Sequence, residues 1–232
     1  MDSDNLRNII QNSFNQAVQY CDASELQKLD CEERLRNANR SRVWIETLAK
    51  SLLKASQKLE TSAEKYQAFY RKNRKNDHQV DNNAQMFGLT EFLFDVVIAE
   101  MTEFDTASKK RNIKSKYAKL QAIRKAVWIV ECEFQRKDSR ALLLDMNKLV
   151  LGRAEHKLFI MSQDESETQD WAIETFNALS KDDDAKIFLA RIPHPCDWGK
   201  QHNKVEVFEI PYIKEKKTNK VDQGTEILPQ VI

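Results

Sequence analysis

From Ala126 onward the chain alternates between apolar β-type runs and amphipathic helical runs, and this alternation restricts its fold more than any other feature. Ala126 to Phe134 (AVWIVECEF) reads as strand, and SRALLLDMNKLVLG (139–152) as a helix opened by Ser139 and stopped by Gly152. KLFIM (157–161) is again strand, ESETQDWAIETFNALSK (165–181) helix, AKIFLARI (185–192) strand, and KVEVFEI (204–210) a further strand. Strands separated by helices need crossover connections, so the expected architecture is α/β with a mainly parallel sheet and helices on its faces. Ligands of such sheets gather at strand ends. With only 4 Gly and 4 Pro among 232 residues, tight turns are few, which argues against an all-β sandwich.

The N-terminal third has a different texture. Apolar residues from Leu6 to Arg71 recur at helical spacing, as in Leu6, Ile9, Ile10, Phe14 and Val18, then Val43, Trp44, Leu48, Leu52 and Leu53. This predicts antiparallel helices, with Asp22 or Ser24 capping the second and Ser41 opening a third. The polar stretch 72–85 reads as an exposed loop and the best boundary. FLFDVVIAEM (92–101) suits a buried strand, although Leu89, Leu93, Val97 and Met101 also fit a helix. SKKRNIKSKYAKLQAIRK (108–125) reads as a basic helix. The division is then a helical region at 1–75, an α/β core at 86–210, and a tail at 211–232 that is polar from Lys214 onward.

Charge is nearly balanced, 37 Lys+Arg against 36 Asp+Glu, so any contact with a polyanion has to be local. No apolar run approaches the roughly 20 residues that span a bilayer, and MDSDNLRNII lacks the features of a signal peptide, so the expectation is a soluble, cytoplasmic protein with no membrane partner. Cys21, Cys31, Cys132 and Cys196 are scattered without a C-x-x-C, which fits a reducing compartment better than a disulfide framework or a zinc ribbon.

One strand carries an anomaly. In WIVECEF, side-chain alternation puts Ile129, Glu131, Glu133 and Gln135 on one face, and Trp128, Val130, Cys132 and Phe134 on the other. Two like charges about 7 Å apart on a partly buried face are costly through desolvation and repulsion. A hard cation such as Mg²⁺ relieves that cost, and so does an edge position where the acids meet solvent, Lys or Arg. Cys132, on the opposite face, reads as a small core residue.

The order of motifs points further. Asp95 ends an apolar FLFD, the E-x-E strand follows, then a helix with Lys148, then another strand. This arrangement resembles the PD-(D/E)xK, or restriction-endonuclease-like, nuclease superfamily. EFLFD (91–95), VECEF (130–134) and DMNKLVLGRAEHKLFIM (145–161) look like the motifs E-W-L-Y-D, E-S-E-W and D-F-x-K-L-L-x-x-R-A-x-x-R-V-M-I-F of uncharacterised bacterial proteins thought to share that core. The likeness covers 86–161, extends toward 192, and leaves the N-terminal helices unmatched. It implies a mixed sheet flanked by helices and a Mg²⁺- or Mn²⁺-dependent hydrolysis of phosphodiesters in DNA or RNA, in the setting of defence against foreign nucleic acid.

By that resemblance Asp95 and Glu131 are metal ligands, and Asp95, Glu131, Glu133 and Lys148 form the catalytic set. Glu133 stands where the superfamily usually has Lys, a departure that some restriction endonucleases share, while Lys148 matches members whose Lys lies on the next helix. The alternative for Lys148 is a surface pair with Asp145 at i, i+3. Glu91 and Glu46 are further acids to consider. Lys109, Lys110, Arg111, Lys114 and Lys116 belong to a stretch with eight Lys/Arg and no acid between 109 and 125, suited to phosphate contact or to a solvated face. Tyr66, Phe69 and Tyr70 beside Arg71, Lys72, Arg74 and Lys75 read as core aromatics ahead of a charged loop, with base stacking as the functional alternative. His194, Cys196 and His202 offer three soft ligands without a clear fourth. The chain lacks nucleotide-binding and serine-hydrolase signatures. The partner expected is nucleic acid, with DNA favoured over RNA and a homodimer compatible; the alternative is an inactive nuclease-derived nucleic-acid-binding or adaptor protein, and a purely structural protein comes third.

Overall fold

The computed structural model describes residues 1–25, 33–58, 65–71, 92–105, 119–134, 139–163, 166–179, 184–198 and 204–211. Two long helices, α1 (Ser3–Glu25) and α2 (Glu33–Lys58), precede strands β1 (Tyr66–Tyr70), β2 (Val96–Asp105) and β3 (Lys119–Glu133). Helix α3 (Ser139–Leu151), β4 (His156–Ser162), α4 (Ser166–Leu179), β5 (Lys186–Ile192), a 3₁₀ turn at Pro195–Asp197 and β6 (Glu206–Ile210) complete the order. The six strands form one sheet in sequence order, β1-β2-β3-β4-β5-β6. β1, β2 and β3 run antiparallel, β3, β4 and β5 parallel through the α3 and α4 crossovers, and β6 returns antiparallel. The sheet is therefore mixed, and only its middle is parallel as expected.

Helices cover both faces. On one, α1 buries Leu6, Ile10, Phe14, Ala17 and Cys21, and α2 buries Trp44, Leu48 and Leu52, against Val96, Ile98, Trp128, Val130, Leu158 and Ile160. On the other, Leu142, Met146 and Leu149 of α3 and Ala172 and Phe176 of α4 meet Val97, Ile129, Phe159, Met161 and Leu189. Burial on both faces explains why β4 and β5 read as continuous apolar runs rather than as alternating ones. Asp2 starts α1 by accepting the Asn5 N–H at 2.8 Å, one of the donors a helix N-terminus leaves open.

Several expectations need correction. The helical region was expected to reach Arg71, yet Tyr66–Tyr70 is a strand paired with Val96–Glu100. Five residues rich in Tyr and Phe are too short for periodicity to separate strand from helix, and the open edge of β2 decides. Tyr66, Phe69 and Tyr70 are core residues. Ser41 opens no third helix, since it lies inside α2, and Asp22 and Ser24 fall within α1. Residues 119–125, expected as the end of a basic helix, form the first half of β3 and pair with Glu100–Asp105. Pairing with β2 overrides their helical propensity. Residues 72–85, 109–116 and 212–232, which include the expected loop, the basic cluster and most of the tail, lie outside the described residues.

The β2–β3 ladder shifts register between Ile98 and Ala99 and again between Glu100 and Met101. The second irregularity lets consecutive Arg124 and Lys125 both approach the buried carboxylate of Glu100, at 2.6 and 3.5 Å, where Lys65 also binds. The hydrogen bond from Lys65 and the charges of Arg124 and Lys125 together outweigh burial and hold Glu100 below its ordinary value. Two of the eight cations of the basic stretch are thus used to neutralise a core acid.

Candidate active site

β2 begins at Val96, opposite Val130 of β3, so the residue before β2 lies beside the end of β3. Asp95 uses this adjacency: its Oδ2 accepts the Cys132 N–H at 2.8 Å and extends the ladder with a side-chain bond. Glu131 follows Val130 and shares the α3/α4 face with Ile129, as alternation predicts. It is 1 % exposed. Helix α3 packs over β3 and brings Asp145 and Lys148 to it, because their i, i+3 spacing puts both on one side of the helix. Lys148 Nζ stands 2.6 Å from Asp145 Oδ1 and 3.3 Å from Glu131 Oε1.

The electrostatics follow from this crowding. Burial is the main cause that pushes the Glu131 carboxyl up from 4.5 to about 8, the negative charges of Asp95 and Asp145 add to it, and Lys148 opposes them. Glu131 Oε1 is sealed from solvent and receives no well-directed hydrogen bond, so the Lys148 contact is an ion pair rather than a bond that satisfies the lone pair. Burial works against the Lys148 charge, but the Asp145 bond and the Glu131 charge outweigh it and keep the ammonium above its usual value. On the other face, burial first and then Asp95 push the Cys132 thiol well up, which keeps it a protonated core group, as expected.

Asp95, Glu131 and Lys148, predicted from sequence, therefore converge. Glu133 lies two residues beyond Glu131 on the same face of β3, half-buried, opposite Met161. Asp145 was expected only as a partner for Lys148, and it serves as that partner and also as a third carboxylate beside Glu131. Its signal in the sequence was the same i, i+3 spacing. Glu46 does not join the cluster: it pairs with Lys50 at 2.6 Å in a groove of about 830 Å³ between α1 and α2, on the opposite layer of the molecule. Glu91, Lys109, Lys110, Arg111, Lys114, Lys116 and His202 lie outside the described residues.

The donor set fits a hard divalent cation in kind. Carboxylates at two strand ends, one of them buried and raised by its neighbours, gain from a dication as they do from no neutral ligand. The carboxylates of Asp95, Glu131 and Asp145 do not gather as closely as the His194, Cys196 and Asp197 side chains, whose ligand atoms lie within 4.8 Å of one another. Mg²⁺ needs no complete protein shell, since it takes one or two carboxylates and keeps waters for substrate oxygens.

No protein-family model matches the chain, and no curated protein or solved structure is detectably similar to it. Among the described residues, no helix is long and apolar enough to cross a membrane.

Proposed function

We propose that the chain is a Mg²⁺- or Mn²⁺-dependent nuclease with a restriction-endonuclease-like core, acting on DNA or RNA. The observation that carries this reading is the meeting of Asp95, Glu131 and Lys148 from three separate elements at one end of the sheet. The E-x-E strand followed by a helix carrying Lys148 and then a parallel strand supports it further, because the resemblance rests on that order of motifs. The metal, when bound, would polarise a phosphoryl oxygen and acidify a water. Asp95, held by the Cys132 N–H, presents a carboxylate in fixed orientation. Glu131, whose burial favours the protonated form, would give up that proton to solvent and hold the ion together with Asp95. Lys148 supplies a positive charge that can leave Glu131 for the phosphate, where charge grows as water attacks phosphorus and the P–O bond to the leaving nucleotide breaks. Asp145 holds Lys148 in reach.

A cleavage assay on mixed DNA and RNA substrates with Mg²⁺ and with Mn²⁺ tests the proposal, with Glu131→Ala as the control. Equal cleavage by parent and variant refutes the assignment. Glu133, in the position where the superfamily carries Lys, favours a second reading, a core that binds nucleic acid without turnover. Salt-sensitive binding with neither metal dependence nor cleavage would establish that reading instead.

A further inference from the structure

Past β5 the chain turns through residues 193–198, and this turn is braced from several directions. Asp197 N–H donates to the His194 carbonyl at 2.8 Å. Trp198 Nε1 donates to the Pro193 carbonyl at 2.9 Å. The buried Arg40 of α2 donates from Nη1 to the Pro195 carbonyl at 2.5 Å, and its guanidinium lies 5.9 Å from the centre of the Trp198 ring. Phe14 of α1 packs edge-on against the same ring at 5.3 Å. A turn held by backbone bonds, a buried cation and two aromatic rings presents its side chains from fixed Cα positions.

Three of those side chains are His194, Cys196 and Asp197, and their ligand atoms lie within 4.8 Å of one another. Among the described residues, no other group of three His, Cys, Asp or Glu side chains comes so close. His194 Nδ1 stands 2.9 Å from Cys196 Sγ and accepts the Cys196 N–H at 3.2 Å, a bond that ligation through Nδ1 would replace. Bonds of about 2.0–2.3 Å at tetrahedral angles put donor atoms roughly 3.3–3.7 Å apart. The thiol and ring therefore need to part by less than about 1 Å, and the widest pair to close by about 1 Å, which side-chain torsions supply.

Charge and softness indicate the ion. A thiolate and a carboxylate balance a dication, and sulfur with imidazole nitrogen favours Zn²⁺ and its neighbours over Mg²⁺. All three side chains are partly buried rather than sealed, and three protein donors would leave the fourth tetrahedral position to water or a further ligand. We infer that His194, Cys196 and Asp197 form a binding site for a transition-metal dication of the Zn²⁺ class, on the α1/α2 side of the sheet and independent of the Glu131 cluster. Binding releases the Cys196 thiol proton to solvent.

The test is Co²⁺ titration of the reduced full chain, followed by near-ultraviolet absorption. One equivalent of Co²⁺ should raise a thiolate-to-cobalt band that Zn²⁺ abolishes by displacement. Cys196→Ser and Cys196→Ala should remove the band, His194→Ala and Asp197→Asn should weaken Co²⁺ binding at least tenfold, and Glu131→Gln should titrate like the parent. No band in the parent, or a band that persists in both Cys196 variants, overturns the inference. Parent-like affinity in His194→Ala overturns it equally. Far-ultraviolet circular dichroism on each variant separates loss of ligand from loss of fold.

Discussion

Replacing Glu131 by Gln keeps the shape of a 1 % exposed side chain and removes its titration. In the unfolded chain this carboxyl ionises at 4.5, whereas in the folded site burial and two neighbouring acids hold it to about 8. Between those values the native state binds the proton more tightly than the unfolded state does, so stability falls as pH rises from 4.5 to 8 and is level above that. The full shift corresponds to about 5 kcal/mol. Lys148, with a side chain 38 % exposed, can follow the carboxylate and admit water, which reduces the expected loss to about 2–3 kcal/mol. Glu131→Gln should therefore match the parent near pH 4 and exceed it by about 2–3 kcal/mol at pH 8.5 in chelator, roughly a 6 °C rise in Tm for a chain of this size. Urea midpoints of the two proteins at half-unit pH steps give the difference curve, in which titrating groups remote from Glu131 cancel. Parallel profiles, with no pH-dependent gap, would refute the claim that Glu131 is buried without adequate compensation. Added Mg²⁺ should stabilise the parent at pH 8 and leave Glu131→Gln unchanged, because only the parent has the carboxylate to exchange a proton for the ion.

Lys148→Ala should lower cleavage at least 100-fold and cost about 1–3 kcal/mol at pH 8, since Glu131 then loses the ammonium that pairs with it, while Lys148→Arg should recover part of both; single-turnover cleavage with parallel denaturation checks this. Gly152→Ala would place a methyl group 2.5 Å from Phe94 and 2.6 Å from Ile129, so a loss of about 1–3 kcal/mol is expected, and because these residues flank Asp95 and Glu131, Mg²⁺ affinity should fall as well. An unchanged urea midpoint would count against that packing. His156 lies against Trp128 with ring centres 4.5 Å apart, and burial lowers it from 6.5 to about 4. The unfolded chain takes up that proton first, so stability is lost as pH falls from 6.5 toward 4, and His156→Phe should flatten this acid limb in a comparison of urea midpoints at pH 7 and 4.5.

The strand and helix pattern after Ala126 was legible because each element is long enough for its period to show and each is bounded by a cap, a glycine or a polar loop. The alternation within WIVECEF by itself puts Glu131 and Cys132 on opposite faces, since a strand with both faces covered admits no other arrangement. The first half of β3 and the whole of β1 were not legible. KLQAIRK and YQAFY contain too few residues to distinguish a period of two from one of 3.6, and both are strands because β2 offers them a partner.

The site divides in the same way. Local spacing alone determined that Asp145 and Lys148 share a helix face and that Glu131 and Glu133 share a strand face, whereas the sequence grouped His194 and Cys196 with His202, and it is the structure that sets Asp197 beside them. Whether Asp95 reaches β3, whether Lys148 reaches Glu131, and whether Arg124 and Lys125 face solvent or a buried Glu100 were decided by antiparallel register and by the packing of α3 on the sheet. Those are contacts between residues far apart in the chain, and no local periodicity encodes the distance between two elements that meet only when the core closes.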